Sequence, residues 1–534
     1  MNGDGNEKRG ETASLISFAQ ELMSMDIVHS LKEIEECVGR LSAVQKILLG
    51  TDGSVTQLLE SITGSPITIT TRVQEIVQAD AATAESLNIR PGEPVNHRIV
   101  ELKDTGTGSV LIYAVSDTPL SRLPPSFRED LMKADIPIGK IIRRHRIEAR
   151  REILNARVDP AGEEASRTFA ICRNEPLLCR QYRIIHNNEP LIFIEEQFPY
   201  NRFLDERRVI VETPSRIHVS LIDLHGGSGR VDGGIGIALD DPRILLEARQ
   251  SPELDVKGCD SRTAERVRQV ATDVLTRIRA GASASITVRA IYPSHVGLGS
   301  GSQLALATAR AICELYGRSM TIQDLALLAG RGGTSGIGTA AFGHGGFIID
   351  GGHRFGPGGD KTGFAPSSAS RGVPPPPVIV RHDFPSDWRI LLATPDLPVG
   401  ASGNREVDIF RQYCPVPLDE VRALCHEVLM RMLPAIVERD LDQFGASIDA
   451  VQKIGFKKIE HQLQPPQIAG LLETMRSAGA AGAGMSSFGP ALYAVGDTGV
   501  KEIERAAQSF MQDRGGGTTL ITSARNCGAA VRVA

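Results

Sequence analysis

What the chain lacks removes several functions before any motif is weighed. Eight cysteines, at positions 37, 172, 179, 259, 313, 414, 425 and 527, include no Cys-x-x-Cys pair, and their scatter fits reduced thiols in a cytosol better than a disulfide frame or a zinc site. No excess of positive charge exists either. Lys+Arg 59 stand against Asp+Glu 64, a net charge of -5, so no global basic field favours nucleic acid, although local clusters can still hold small anions. No apolar run approaches the ~18 residues that span a bilayer, and the start, Met1 to Glu11, is polar and charged. A soluble, cytoplasmic protein is expected, with neither nucleic acid nor membrane as a partner. No internal repeat is present.

At 534 residues the chain exceeds one ordinary core, given ~150 residues per domain, and reads as a fusion. Residues 1 to about 12 read as disordered, and Leu15 to Leu49 carries apolar residues at helical spacing, among them Ile27, Leu31, Ile34, Val38 and Leu41; residues 1–39 are thus a disordered start and a helical extension. Short alternating or β-branched runs follow at Ile67 to Val77, Arg98 to Lys103, Val110 to Ser116, Ala170 to Ile171, Leu178 to His186 and Leu191 to Gln197. Asn187-Asn188 supplies a hairpin turn between the last two. These features predict an antiparallel-sheet α+β domain over 40–203, and a second domain, strands and helices mixed, over 207–534. Within it, Arg354 to Pro377 is rich in Pro, Gly and Ser, which predicts a flexible insertion, either a mobile lid or, the favoured reading, a solvated loop.

Pro293-Ser294-His295-Val296-Gly297-Leu298-Gly299-Ser300-Gly301-Ser302 follows a strand-like run and opens an Ala/Leu-rich helix. Glycines let backbone approach an anion, and the first free amides of a helix, with its dipole, favour phosphate. Three further segments can converge on it: Pro214 to Leu221, Gly332 to Gly346 and Gly479 to Gly489. Together they resemble the small-molecule kinase superfamily of galactokinase, homoserine kinase, mevalonate kinase and phosphomevalonate kinase, with Pro293, Gly297, Leu298, Gly299 and Ser300 matching its phosphate loop. The resemblance implies a two-lobed module, ribosomal S5 domain 2-like plus ferredoxin-like. Those kinases read Ser-Gly-Ile-Asp in the third segment, whereas this chain reads Ser335-Gly336-Ile337-Gly338. The acid that helps to deprotonate a hydroxyl is absent, a loss of roughly 10²–10⁴ in rate.

With Pro214-Ser215-Arg216-Ile217-His218 and Thr334-Ser335-Gly336-Ile337-Gly338, this half is similar to the β-ribofuranosylaminobenzene 5′-phosphate synthases. The resemblance implies a decarboxylating phosphoribosyl transfer of methanopterin biosynthesis, from phosphoribosyl pyrophosphate to 4-hydroxybenzoate or 4-aminobenzoate, with Mg²⁺, no organic cofactor and a homodimer. Gly297, Gly299, Ser300, Gly301 and Ser302 are the candidate pyrophosphate cradle, with Arg216 and His218 near the substrate carboxylate or phosphate. Arg216 also reads as a surface ion pair and His218 as a satisfied core histidine; Ser335, Ser486 and Ser487 are weaker candidates that also read as turn formers. Leu239-Asp240-Asp241 lacks a following phosphate loop and is set aside as a phosphoribosyltransferase motif.

The first domain resembles chorismate lyase, on His97-Arg98-Ile99-Val100, Thr118-Pro119-Leu120-Ser121, Ile136-Pro137-Ile138-Gly139-Lys140, Arg180-Gln181-Tyr182-Arg183 and Ile194-Glu195-Glu196-Gln197-Phe198-Pro199. The resemblance implies that Arg98 grips the carboxylate of the ring, that Glu195 meets the hydroxyl at its far end, and that Gly139 belongs to the substrate site. Arg98 also reads as a strand-surface charge, and Glu196, adjacent to Glu195, is expected to be solvated on the other face of the strand. The fusion then makes one sequence of reactions: chorismate to 4-hydroxybenzoate and pyruvate, then 4-hydroxybenzoate to a ribosylated arene. The competing readings are an ATP-dependent small-molecule kinase, which Gly338 opposes, and a metabolite-sensing first domain, which Glu195 opposes.

Overall fold

The computed structural model describes residues 27–133, 136–366, 369–370, 372–398, 400–401 and 403–534. The expected disorder of residues 1–12 and the first part of the predicted helical stretch lie outside them. The chain forms two compact units, one of the chain up to Glu206 with Arg279–Ser283, the other of Arg207–Ile278 and Ala284–Ala534.

In the first unit the helix Ile27–Val38 buries Ile34 and Val38. The next helix, Ala43–Gly50, starts in a capping box in which the Ser42 hydroxyl accepts from Gln45 N at 3.1 Å and the Gln45 side chain accepts from Ser42 N at 2.8 Å. The core element is a six-stranded antiparallel sheet, ordered β1-β2-β3-β6-β5-β4, with β1 Ile67–Gln78, β2 Pro94–Asp104, β3 Val110–Pro119, β4 Arg150–Pro160, β5 Pro176–His186 and β6 Glu189–Pro199. Asn187 and Asn188, at φ 51° and 63°, close the β5–β6 hairpin, the two positive φ values that a two-residue turn of matching twist requires. The predicted strand at Ala170 to Ile171 is instead a helix end: Ala170 at φ 53° is the left-handed cap of the helix Glu163–Phe169. Edge strand β4, half-buried along most of its length, carries too polar a sequence to show alternation. Phe127, Leu131 and Ile141 from two helices cover one face of the sheet, packing on Tyr182, Ile184, Ile192 and Ile194.

The second unit contains the long antiparallel pair β7 (Arg208–Asp223) and β8 (Arg230–Ser251), extended by β9 (Asp255–Lys257), β10 (Ser283–Ala290), β11 (Phe347–Asp350), β12 (His353–Arg354) and β13 (Val378–His382). A second sheet orders β15 (Gly482–Met485), β16 (Leu492–Gly496), β14 (Arg389–Pro395) and β17 (Gly517–Thr522); the helices Pro466–Ser477 and Val500–Gln512 pack their apolar residues on it. With helices between β14 and β15 and between β16 and β17, this is the β-α-β-β-α-β ferredoxin-like arrangement expected. Strand β18 (Ala530–Val533) returns to pair with β7.

Within the expected flexible insertion at 354–377, several of the described residues are packed. Lys361 and Ser370 are buried, and the Lys361 ammonium donates to Asp232 Oδ2 at 2.9 Å, with the His353 Nδ1 2.7 Å from the same oxygen. A buried carboxylate and ammonium paired in this way tie the strap to β8. Pro375 and Pro376 then lie so close that a Cβ on Gly332 or Gly336 would come within 2.8 Å of them. The strap therefore packs directly over the third glycine-rich segment.

Candidate functional sites

Strand parity decides which charged side chains of the first unit can act together. In an antiparallel sheet, residues directly opposite share a face. Arg98 pairs with Ser116, Ser116 with Ile194 and Ile194 with Tyr182. One step along, Val100, Ala114, Glu196 and Arg180 form the next row on that same face. Glu195 belongs to the row of Ile99, Val115 and Gln181, and so to the opposite face. The structure does not bring Arg98 and Glu195 together.

Glu196, expected to be solvated, is 6% exposed. It faces the core side because it alternates with buried Ile194 and Phe198. Its carboxylate accepts from Arg180 Nε at 2.8 Å and from the Tyr182 hydroxyl at 3.1 Å, and the Arg180 guanidinium lies 4.7 Å over the Tyr182 ring. Arg98, 1% exposed, donates to the Ile136 carbonyl at 3.2 Å and towards Thr71 Oγ1 at 3.4 Å; it is no strand-surface charge. Glu195 is half-buried and tied by Gln181 at 2.5 Å, Gln197 at 2.8 Å and Arg157 at 3.2 Å. Burial would raise its pKa, but those hydrogen bonds and the Arg157 charge outweigh it and hold the carboxyl below its ordinary value. Gly139 lies in the first turn of the helix Ile138–Arg144, three residues beyond the carbonyl that Arg98 holds, and a Cβ there would meet only Ser54 Oγ, at 3.4 Å.

In the second unit the candidate segments of β7, the glycine loop, residues 335–338 and 486–487 converge. Arg216 donates to the Gly297 carbonyl, and its guanidinium lies so close to Gly299 that a Cβ there would be 3.1 Å from Cζ. Gly299, at φ 83°, is the N-cap of the helix Ser300–Leu315, a conformation that favours glycine. Ser486 bridges the two segments: its hydroxyl accepts from His218 N at 2.9 Å and donates to the Gly297 carbonyl at 2.7 Å. Ser487 N donates to the His218 carbonyl at 3.0 Å. His218 Nε2 lies 3.1 Å from the Ser335 hydroxyl. Gly338 backs onto the helix start, where a Cβ would be 3.3 Å from Ser302 Cβ. Ser300 Oγ reaches Ser294 Oγ at 3.5 Å, and Gly301 faces the guanidinium of Arg331, 3.8 Å from a Cβ built on it.

Electrostatically the cluster is basic. Among the described residues no carboxylate pairs with Arg216, and burial lowers its pKa to about 10; its buried Nε, like Nδ1 of His218, has no hydrogen-bond partner there. Burial, then the Arg216 and Lys457 charges, push His218 well below its ordinary value, so the imidazole is neutral. Among the described residues no group of three His, Cys, Asp or Glu side chains forms a metal cluster. The carboxylate beside residue 336, Asp350, is buried and already holds Gly336 N and Gly352 N at 2.9 and 3.0 Å. That donor set does not fit a protein-held Mg²⁺, which favours one or two free carboxylates.

Sequence comparison places each unit in a family. Residues 49–204 match the family model described as chorismate pyruvate-lyase Rv2949c-like, and 263–346 and 432–513 match the N-terminal and C-terminal domains of GHMP kinases. The chain is 46% identical over 328 residues to a β-ribofuranosylphenol 5′-phosphate synthase of Methanothermobacter thermautotrophicus, covering 60% of this chain and 98% of that protein. A protein of the same name from Methanocaldococcus jannaschii is 46% identical over 333 residues, 99% of its length. A chorismate pyruvate-lyase of Mycobacterium leprae is 25% identical over 173 residues, 32% of this chain and 82% of that protein. The chain therefore belongs to the β-ribofuranosylphenol 5′-phosphate synthase family, fused to a chorismate pyruvate-lyase-like domain.

Proposed function

We propose that the first unit converts chorismate to 4-hydroxybenzoate and pyruvate, and that the second couples 4-hydroxybenzoate, or 4-aminobenzoate, to phosphoribosyl pyrophosphate, releasing pyrophosphate and CO₂. The names of the relatives support both activities, and the geometry supports the choice of residues. In the first unit Arg98 offers two prongs to the ring carboxylate. On its face of the sheet Glu196, poised by Arg180 and Tyr182, takes the ring proton as the ether bond to the enolpyruvyl group breaks and the ring becomes aromatic; the group leaves as the enolate, which gains one proton at carbon to give pyruvate. Glu195, on the other face, is left to hold Arg157.

In the second unit the single observation that carries the reading is Arg216, a guanidinium without a carboxylate partner among the described residues, stacked against the glycine at a helix N-terminus. A leaving diphosphate on the Gly297–Ser302 loop gains the charge of Arg216 and the first amides of the helix. Neutral His218, held at Ser335 and Ser486, can accept a hydrogen bond from the phenol hydroxyl, which pushes electron density onto the ring carbon that bears the carboxylate. That carbon bonds to C1 of the ribose as the C1–O bond to diphosphate breaks, and loss of CO₂ restores the ring. A hydroxyl nucleophile and its acid helper are not needed. Mg²⁺ would add charge neutralisation by way of the diphosphate, but no step here depends on it. In the test, Arg216→Met should slow pyrophosphate release from phosphoribosyl pyrophosphate and 4-hydroxybenzoate about 10²–10³-fold, as removal of one oxyanion donor does; unchanged release would reject the assignment.

A further inference from the structure

Beside the glycine loop, the start of the helix Ser261–Arg277 and the segment 291–294 enclose a cavity of about 300 Å³ whose wall includes Asp260, Arg262, Arg266, Tyr292 and Ser294. Its charge is unbalanced. Neither Arg262 nor Arg266 has a carboxylate partner among the described residues; the one side-chain contact of Arg266 there is to His295, with Nη2 2.9 Å from Nε2. Asp260, the acid on the wall, is already used as the helix cap: it accepts from Arg262 N and Thr263 N, each at 3.0 Å, and from Thr263 Oγ1 at 2.6 Å. Burial first, then the charges of Arg266, Arg262 and Arg331, lower the pKa of His295, in keeping with the excess of positive charge. A site with that field and a hydroxyl at Ser294 suits a dianion. The span matters as well. Only His295 and Val296 separate Ser294 from Gly297, at most ~10 Å of chain, which a single pentose can bridge.

We propose that this cavity binds the phosphate monoester of a pentose whose anomeric diphosphate lies on the Gly297–Ser302 loop, so that Arg262 and Arg266 select a 5-phosphorylated donor. This rests on the donor reading given above and adds the recognition of its other end. Since Arg262 is exposed and Arg266 half-buried, neither replacement leaves a buried carboxylate unpaired, and thermal unfolding of each variant checks that it folds. The test is calorimetric titration of the full chain with two separate probes, ribose 5-phosphate and pyrophosphate, for the wild type, Arg262→Gln and the Arg262→Gln/Arg266→Gln double variant. Ribose 5-phosphate should weaken at least about tenfold in the double variant, the effect of losing a charge-assisted hydrogen bond, and by less in the single one. Pyrophosphate should stay within about threefold, the reach of a screened charge. Equal weakening of both probes, or none of either, overturns the proposal. A wild type that binds pyrophosphate but not ribose 5-phosphate overturns it while leaving the loop assignment standing; binding of neither probe overturns both.

Discussion

Two adjacent glutamates show how much chemistry one position of strand parity carries. Glu195 and Glu196 differ in face: the first sits half-exposed among Gln181, Gln197 and Arg157, the second is buried on Arg180 and Tyr182 beside the row of Arg98. Glu196→Gln should therefore cut pyruvate release from chorismate by about 10²–10⁴, the usual worth of a general acid or base, while Glu195→Gln stays within a few-fold. Equal losses, or the reverse order, would restore Glu195 as the acting group. Because Glu196→Gln also leaves Arg180 buried without its counter-charge, a cost of about 3–5 kcal/mol, a titration with 4-hydroxybenzoate is needed to show that the variant retains its folded site. In the second unit Gly297, at φ 99°, faces the Ser486 carbonyl, 2.3 Å from where a Cβ would stand. Gly297→Ala must displace the loop from Ser486, and pyrophosphate affinity, read by titration, should fall at least about tenfold on strain of roughly 1–3 kcal/mol; an unchanged affinity would show that the loop does not hold the diphosphate.

Local chemistry marked some elements clearly and left others silent. The Asn187-Asn188 turn and the glycine loop were legible because the residues themselves demand positive φ or a helix start. The anchor within 354–377 was not legible because composition reports what cannot be regular, not what is buried: it joins Lys361 to Asp232, 129 positions earlier. Likewise, the burial of Glu196 depends on which face the sheet turns inward, which the dipeptide Glu195-Glu196 alone cannot state. Lys361→Met would leave Asp232 and His353 without the ammonium, at about 3–5 kcal/mol for a broken buried pair. The result should be faster proteolytic cutting within 354–377 and a loosened Thr334–Gly338 segment; a strap as resistant as that of the wild type would mean the Lys361–Asp232 pair does not hold it.

The stability of the second unit carries one pH sensitivity that no motif announces. Glu406, in the helix Asn404–Tyr413, is pushed up to about 7, by burial first and by Glu460 second, from an ordinary 4.5. A carboxyl raised on folding contributes stability that is complete below its unfolded value and lost as pH rises through about 7. Unfolding temperatures of wild type and Glu406→Gln should thus be similar near about pH 5 and diverge near about pH 8.5, with the variant the more stable; a variant that is less stable at the higher pH would reverse the sign. On the proposed reading, function at this scale is the joining of two reactions with a shared intermediate, an arene that one unit would release and the other consume. The decisive measurement is mass spectrometry of the products when the full chain is given chorismate and phosphoribosyl pyrophosphate and nothing else but Mg²⁺. A ribosylphenol phosphate, appearing with pyruvate, CO₂ and pyrophosphate, is the expected result. Pyruvate without pyrophosphate, or ADP formation once ATP is supplied in place of the ribosyl donor, would contradict it.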